Sequence, residues 1–465
     1  PLAAKNEQED VFMKLIYDVE DKPKFGQLIA FAIQQLLAIM AATLVVPVIT
    51  GNGMSPAAAL FGAGIGTLVY ILFTRKESPV FLGSSFAFLG PMAAAFAGGV
   101  SVQLGYLGLI LGAIFAGLVY VVIAIIVKGV GVNWIDRLMP AVVIGPTVAI
   151  IGLSLAGNAV GDLTSGTVTA ADGTQLASQL ICVLCGLITL FTTILCSTFG
   201  KKMTRLIPFI IGICAGYAAA TVFTVIGDAA GIDALKIISF EPFTNLVKDG
   251  VNISTFFSVP SFTFLTAADG FGELNSTYVG TIAVAYIPVA FVVFAEHIAD
   301  HKNISSIIGR DLLKKPGLHR TLLGDGVGSM VGAFFGGCPN TTYGESIGCV
   351  AITGNASVVT IIAAAVGAIL ISFLSPFVAI VNSIPPCVMG GVCMALYGFI
   401  AVSGLRMFKD LDLDDNRNLF VVSVILISGI GGLTLTFGKV TVTSVACALI
   451  LGIITNLILK EKKAK

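Results

Sequence analysis

Runs of about 20 apolar residues, the length a helix needs to cross the hydrocarbon core of a bilayer, recur along this chain from about Gly26 to Lys460. About fourteen such runs can be counted, several of them weak. Only 11% of the 465 residues are charged and 56% are hydrophobic, with a mean hydropathy of +0.98. Soluble domains carry about 25% charged residues. No soluble fold could cover so much apolar surface, so the expectation is an all-α, multi-pass membrane protein whose first partner is the lipid bilayer. The strong runs fall near 26–49, 55–73, 105–127, 138–158, 178–199, 206–227, 279–299, 357–380, 417–437 and 440–459.

The net charge is zero, which gives no reason to expect nucleic acid or another highly charged partner. The placement of the charges says more. Lys and Arg cluster at Lys5 to Lys24, Arg75–Lys76, Lys128–Arg137, Lys201–Arg205, Lys302–Arg320, Arg406–Arg417 and Lys460–Lys465. The alternate connections, near 50–54, 98–104, 159–177 and 228–279, are poor in basic residues or net acidic. By the positive-inside rule both termini are cytoplasmic, which requires an even number of spans in the cytoplasmic membrane. The first 25 residues mix acidic with basic groups, unlike a cleavable signal peptide, so the first span is expected to direct insertion. Nine cysteines are present, most of them inside apolar runs. The Cys182–Cys185 pair has neither a histidine nor a second pair beside it, and it reads as two small buried hydrophobes. No metal site and no cofactor are expected.

Two regions interrupt the apolar pattern, Val80–Gly98 and Gly337–Thr353, where Pro, Gly and hydroxyl residues replace a clean helix. Paired broken segments in corresponding halves of a transporter point to its binding site. Here Gly83-Ser84-Ser85-Phe86-Ala87-Phe88 and Asn340-Thr341-Thr342-Tyr343-Gly344-Glu345 match in character, each giving two hydroxyls, an aromatic and a small residue. The preceding spans match too, with Ala58, Gly62 and Gly66 in one and Gly324, Gly328, Gly332 and Gly336 in the other. Small residues every fourth position form a stripe on which another helix can approach closely. If the broken segments are the third and tenth of fourteen spans, each half has seven, and an odd repeat must be inverted in the membrane. Between the halves, 228–278 reads as an extracytoplasmic loop. Its Asn275-Ser276-Thr277 matches a glycosylation pattern that is common by chance.

Charged residues within spans are costly and mark function. The sequence offers Glu296, His297 and Asp300 at the end of the run that begins near Val279, and Glu345 in the second broken segment. Glu296 and Asp300 are four apart and share a helix face. If Glu345 opens a half-helix, unpaired N–H groups of Gly344 and its neighbours face the interior, and the first segment offers matching groups near Phe86. Fixed donors from backbone, acceptors from two carboxylates and nearby rings suit a small flat ligand rich in N–H and C=O groups. Structural roles compete with each of these. Glu296 and Asp300 would then be helix-end charges, Glu345 a favourable first-turn acid, Phe86, Phe88 and Tyr343 packing residues, and His297 a structural histidine.

In these same stretches, with Ala295-Glu296-His297 and Pro316-Gly317-Leu318-His319-Arg320, the chain resembles the nucleobase-ascorbate transporter family (nucleobase:cation symporter-2), and within it the bacterial uracil permeases. The similarity of order and spacing runs from about Gly26 to Lys460. The resemblance implies fourteen spans in two inverted seven-span repeats, with short extended breaks in spans 3 and 10. It implies a cytoplasmic segment 1–25, a core domain from 26–130 and 279–380, and a gate domain from 131–227 and 381–465. It further implies a uracil-like substrate held by Glu296, Glu345 and the backbone at Phe86 and Gly344, with Tyr343 beside them. The sequence departs from the family pattern at Ser346, where Asn is usual, at the Thr353-Gly354 end, where Arg is frequent, at Asp300, where the uracil permeases often have His, and at Gln34-Gln35, where a Gln-His pair is common.

Uracil is neutral at pH 7, so the membrane potential alone cannot concentrate it. No P-loop is present to deliver ATP energy. Two carboxylates facing one poorly hydrated cavity repel when both are charged, which makes a proton the simplest coupling ion. The expectation is a proton symporter working by alternating access, with Glu296, Glu345 and Asp300 as proton-coupling candidates and a homodimer left open. The alternatives are a xanthine or purine carrier of the same family and an anion exchanger or channel of similar architecture. An enzyme is not expected, since neither H-E-x-x-H nor an Asp-rich diphosphate motif is visible.

Overall fold

A computed structural model describes residues 15–131, 134, 139–170, 174–201, 203–248, 250–408, 411–437 and 440–459. Of the basic residues in the clusters above, Lys5, Lys14, Arg137, Lys202, Lys409 and Lys460 to Lys465 lie outside the described residues. The protein is mostly helical. Its main elements are α1 (Phe25–Thr50), α2 (Pro56–Phe73), β1 (Leu82–Ser84), α3 (Leu89–Ala95), α4 (Val102–Val130), α5 (Ala141–Ser154), α6 (Ala156–Leu163), α7 (Gln179–Phe199) and α8 (Pro208–Ala230). There follow α9 (Ser276–Ile308), α10 (Leu318–Gly336), β2 (Asn340–Thr342), α11 (Gly344–Thr353), α12 (Val358–Ser372), α13 (Ser375–Ser383), α14 (Pro386–Arg406), α15 (Asn416–Ile430), β3 (Leu435–Phe437), β4 (Val440–Val442) and α16 (Ser444–Ile458). Among the described residues, eight helices are long and apolar enough to cross a membrane: α1, α2, α4, α5 with α6, α7, α8, α9 and α14.

Several apolar runs end differently from the sequence expectation. The run near 279–299 continues as one helix from Ser276 to Ile308, so Glu296 and Asp300 lie well inside α9 and not at its end. Asn275 caps this helix, its side chain accepting from the Tyr278 N–H at 2.9 Å. The run 357–380 is two helices, because Pro376 lacks an N–H and disfavours helical backbone before it. The run 417–437 stops as a helix at Ile430, where Gly431 and Gly432, the latter at φ 70°, end it. The β-branched residues that follow pair as the β3–β4 hairpin. Pro386–Arg406 is long and apolar enough to cross a membrane, yet it was not among the strong runs, since Gly390, Gly391 and Gly398 dilute its apolar pattern. Segment 228–278 holds short helices at Glu241–Val247, Ile253–Phe256 and Thr263–Ala268.

Lipid tails are as apolar as leucine, so membrane helices associate through close packing rather than hydrophobic burial. The two small-residue stripes meet each other. A Cβ added to Gly62 would lie 2.4 Å from the Gly332 carbonyl oxygen, one on Gly66 2.7 Å from that of Gly328, and one on Gly336 2.6 Å from that of Ala58. The opposite side of α10 packs on α4, where a Cβ on Gly117 would lie 2.7 Å from the Gly326 oxygen. Helix α10 is therefore wedged between α2 and α4 at backbone distance.

The strongest packing falls in two groups. One holds α1, α2, α4, α9, α10 and α12, and the other α5, α6, α7, α8, α14, α15 and α16. Between β1 and β2 the pairing is antiparallel, with Leu82 opposite Thr342, Gly83 opposite Thr341 and Ser84 opposite Asn340. Flanking bonds extend it, from Ser85 N–H to the Pro339 carbonyl at 2.9 Å and from Tyr343 N–H to that of Phe81 at 3.1 Å. Residues 15–21 form a strap along the loop that follows α11, with a turn from Asp18 to Asp21. The strap's Tyr17 carbonyl accepts from Ala356 N–H at 2.9 Å, and that of Val19 from Val358 N–H at 3.1 Å. Arg310, just past α9, closes it by donating to Asp18 at 2.7 Å and to Glu20 at 2.5 Å. That guanidinium holds the Glu20 carboxyl below its ordinary range.

The glycine contact yields a direct test. Gly62→Val would drive a branched side chain into the α10 backbone at Gly332, and overpacking of this kind costs typically about 1–3 kcal/mol. The purified variant should unfold at a lower temperature and elute heterogeneously in size-exclusion chromatography.

Candidate functional site

The antiparallel crossing of β1 and β2 sends two short helices away from its opposite ends. After β1 the chain passes Ser85 into a turn of 3-10 helix at Phe86–Phe88 and then α3. After β2 it passes Tyr343 into α11. Neither helical start carries a side-chain cap. First-turn N–H groups have no partner within a helix, so both starts present backbone donors at the crossing.

Glu345 is the first-turn acid of α11 and is half-buried. Gly344 is exposed, and an added Cβ there would meet nothing within 4 Å. Space beside Gly344 is therefore not needed by the fold. Glu296 and Asp300 are also half-buried, on the face of α9 that packs against β2 and α11. Asp300 Oδ2 accepts from the Thr342 hydroxyl at 2.7 Å, tying α9 to β2. The carboxyls of Asp300 and Glu345 both lie near enough to Glu296 to act on its charge. The structure thus brings Glu296, Asp300, Gly344 and Glu345 to one place, with the helical start at Phe86 packed on the same α9.

The aromatic residues take more specific positions than the sequence shows. The Tyr343 hydroxyl donates to the Ser84 carbonyl at 2.7 Å, and only 4% of the residue is exposed. Its ring covers Gly83, where a Cβ would fall 2.3 Å from it. Tyr343 is thus a strut across the strand pair. Phe86 meets Tyr397 of α14 edge to face, with ring centroids 5.7 Å apart, so it touches the second helix group. Phe88 stacks on Tyr286 at 5.6 Å.

Other polar residues, to which the sequence reading assigned no structural role, hold the crossing. Asn340 fills the gap between the glycine stripes, its Nδ2 donating to the Gly62 carbonyl at 3.1 Å. Ser346 Oγ accepts from the Phe81 N–H at 3.0 Å and also from Gln35 Nε2, which joins α1, β1 and α11. Asp325, fully buried in α10, pairs with His297. The sequence did carry a signal for Asp325, a lone carboxylate between Gly324 and Gly326 in an otherwise uncharged segment. A small cavity behind β2 is lined by Phe88, Gly117, Tyr120, Val293, Gly326 and Asn340, and neither Glu296 nor Glu345 lines it.

The model of the Permease family, Xan_ur_permease, matches residues 26–437. The chain belongs to the nucleobase-ascorbate transporter family. The permease is 39% identical over 450 residues to the uracil permease of Bacillus caldolyticus, covering 96% of this chain and 95% of that one. It is 38% identical to the uracil permease of Bacillus subtilis (strain 168), covering 97% and 96%. To the uracil permease of Escherichia coli (strain K12) it is 35% identical, covering 95% and 93%. Among solved structures its fold is similar to the transmembrane domain of the cyanobacterial bicarbonate transporter BicA, with a TM-score of 0.60 at 13% identity, covering 95% of this chain and 100% of that one. Murine Slc26a9, an anion transporter in the inward-facing state, gives a TM-score of 0.61 at 10% identity, covering 95% and 69%. This multi-pass membrane protein is a permease and not an enzyme.

Ser346→Ala removes the acceptor shared by a buried backbone N–H and a buried amide. Leaving such donors unpaired costs about 1–3 kcal/mol. The variant permease should melt measurably lower than wild type in the same detergent or lipid.

Proposed function

We propose that this permease is a proton-coupled symporter that imports uracil, or a closely related nucleobase, across the cytoplasmic membrane by alternating access. The observation that carries the reading is the convergence of Glu296 and Glu345 beside the uncapped helical starts at Phe86 and Gly344. Uracil presents two N–H donors and two carbonyl acceptors on one flat ring. Carboxylates at 296 and 345 accept from its N–H groups, and backbone N–H groups at Phe86 and Gly344 donate to its carbonyls. The open space beside Gly344 lets the ring approach the backbone, and Tyr343 holds the strand crossing that sets the spacing. Names of the relatives support the substrate class, since three of those similar over nearly the whole chain are uracil permeases.

In the same reading the chain has fourteen spans in two inverted repeats, with β1 and β2 as the extended breaks in spans 3 and 10 and both termini cytoplasmic. The core domain comprises 26–130 and 279–380, the gate domain 131–227 and 381–465, and 228–278 is an extracytoplasmic loop. The core moves against the gate, and contact between Phe86 and Tyr397 supports a site at their boundary. An anion exchanger of similar fold would place a cation at its half-helix terminus, whereas this chain places Glu345 there. A homodimer is compatible with this scheme and is not needed by it.

The test is direct titration of purified protein with uracil, thymine, xanthine and hypoxanthine, with uracil expected to bind tightest. Loss of a charge-assisted hydrogen bond in a buried site costs about 1.5–3 kcal/mol, so Glu296→Gln should weaken uracil binding by about tenfold or more. Unchanged affinity would remove Glu296 from the site.

Coupling is tested at the other carboxylate. Two negative charges facing one poorly hydrated cavity repel, and glutamine imitates the neutral, protonated form. Glu345→Gln should keep uracil counterflow in proteoliposomes and lose accumulation driven by a pH gradient, because exchange needs no net proton transfer. Accumulation that persists and still follows pH would make Glu345 a ligand contact only, with Glu296 and Asp300 as the proton site.

A further inference from the structure

Behind the carboxylate face of α9 lies a second set of polar groups, fully enclosed. His297 and Asp325 are each 0% exposed. His297 Nδ1 lies 2.7 Å from Asp325 Oδ2, and its Nε2 lies 3.0 Å from Thr321 Oγ1. The Thr321 hydroxyl donates its one hydrogen to the Leu318 carbonyl at 3.0 Å. With its hydrogen directed there, the hydroxyl accepts from His297, whose Nε2 then carries a hydrogen. Between Nδ1 and a carboxylate oxygen 2.7 Å away there must then be one more proton, since two lone pairs do not bond. On nitrogen it makes an imidazolium–carboxylate pair, and on oxygen a neutral imidazole with a carboxylic acid. Both arrangements have zero net charge.

One turn on, His301 Nδ1 donates to the His297 carbonyl at 2.8 Å, and its Nε2 accepts from the Tyr70 hydroxyl at 2.7 Å, which in turn bonds Ser78 at 2.7 Å. The two imidazoles stack with centroids 4.0 Å apart. Successive turns of α9 are thus held to α10 and to α2. Adjacent helical residues differ by about 100° in direction, so fixing His297 fixes where Glu296 and Asp300 point.

We propose that His297 and Asp325 share a single proton as a net-neutral latch, and that they are positioning residues that aim Glu296 at the substrate. This rests on the reading of Glu296 as a ligand to the nucleobase. Removing the shared proton would set a buried carboxylate against a nitrogen lone pair in the membrane interior, a costly uncompensated charge. The latch therefore keeps its proton throughout transport, and the transported proton resides elsewhere.

Asp325→Asn keeps a donor toward Nδ1 but has no proton to release. It should bind uracil within about threefold of wild type and still accumulate it, whereas Asp325→Leu, which leaves His297 without its partner, should bind about tenfold more weakly or worse. Retained counterflow with lost gradient-driven uptake in Asp325→Asn would make the shared proton the transported one and overturn the latch. Wild-type affinity in Asp325→Leu would overturn the positioning role. Should that variant fail to fold, Thr321→Val takes its place, with weaker uracil binding expected and unchanged binding overturning the role. If wild-type protein binds no nucleobase, the functional reading falls and the latch is judged by nitrogen spectra of histidine-labelled protein in lipid. A hydrogen-bonded Nδ1 signal that disappears in His297→Gln and persists in Asp325→Asn supports the latch. A free Nδ1 overturns it.

Discussion

In a chain that crosses a bilayer, every backbone N–H and C=O away from water must be paired, and irregular backbone survives only where protein encloses it. Two three-residue strands meet that constraint here by pairing with each other, and most of the site follows from their pairing. Because β1 and β2 run antiparallel, the helical segments that follow them leave the crossing from opposite ends, and their unpaired first-turn donors stay beside it. The crossing is held on every side. Tyr343 spans it to Ser84, Thr67 accepts from the Leu82 N–H at 2.9 Å, Asn340 reaches Gly62, and Ser346 joins Phe81 to Gln35.

Those braces need space that only glycine leaves. Gly66 and Gly332 both face the Asn340 amide, where a Cβ would come within 2.5 Å of it. The stripes on α2 and α10 therefore do two things at once, bringing two backbones together and making room for the side chain that anchors β2. Helix α9 supplies the third wall. Its outward carboxylates, Glu296 and Asp300, face the crossing, while His297 and His301 bind it to α10 and α2. One helix thus carries both the carboxylates at the crossing and the groups that hold it still.

The same backbone plan occurs in a bicarbonate transporter and in an anion transporter at 13% and 10% identity, so the fold by itself names no substrate. A helix N-terminus alone favours an anion. Placing Glu345 in the first turn uses that favourable end for a protein carboxylate, and the remaining donors and acceptors suit a neutral, flat, hydrogen-bonding molecule.

Much of this permease was legible in its residues. Apolar runs gave the membrane class, the repeated glycine spacing marked the two helices that meet, and the matching Ser-Ser-Phe and Thr-Thr-Tyr stretches marked the strands. These are local patterns whose period matches the element they form. Other features had no local signature. The continuation of α9 past Asp300, the break at Pro376 and the β3–β4 hairpin reflect packing and backbone limits that apolar content does not record. Pairing of His297 with Asp325, and of Gln35 with Ser346, joins residues 28 and 311 positions apart. Such contacts exist only once α1, α9, α10 and α11 have packed, because a buried hydrogen bond is defined by distance in space. The sequence by itself therefore determined the class of fold, the family and the carboxylates available, while tertiary structure decided which faced the crossing and which was bound to a histidine behind it.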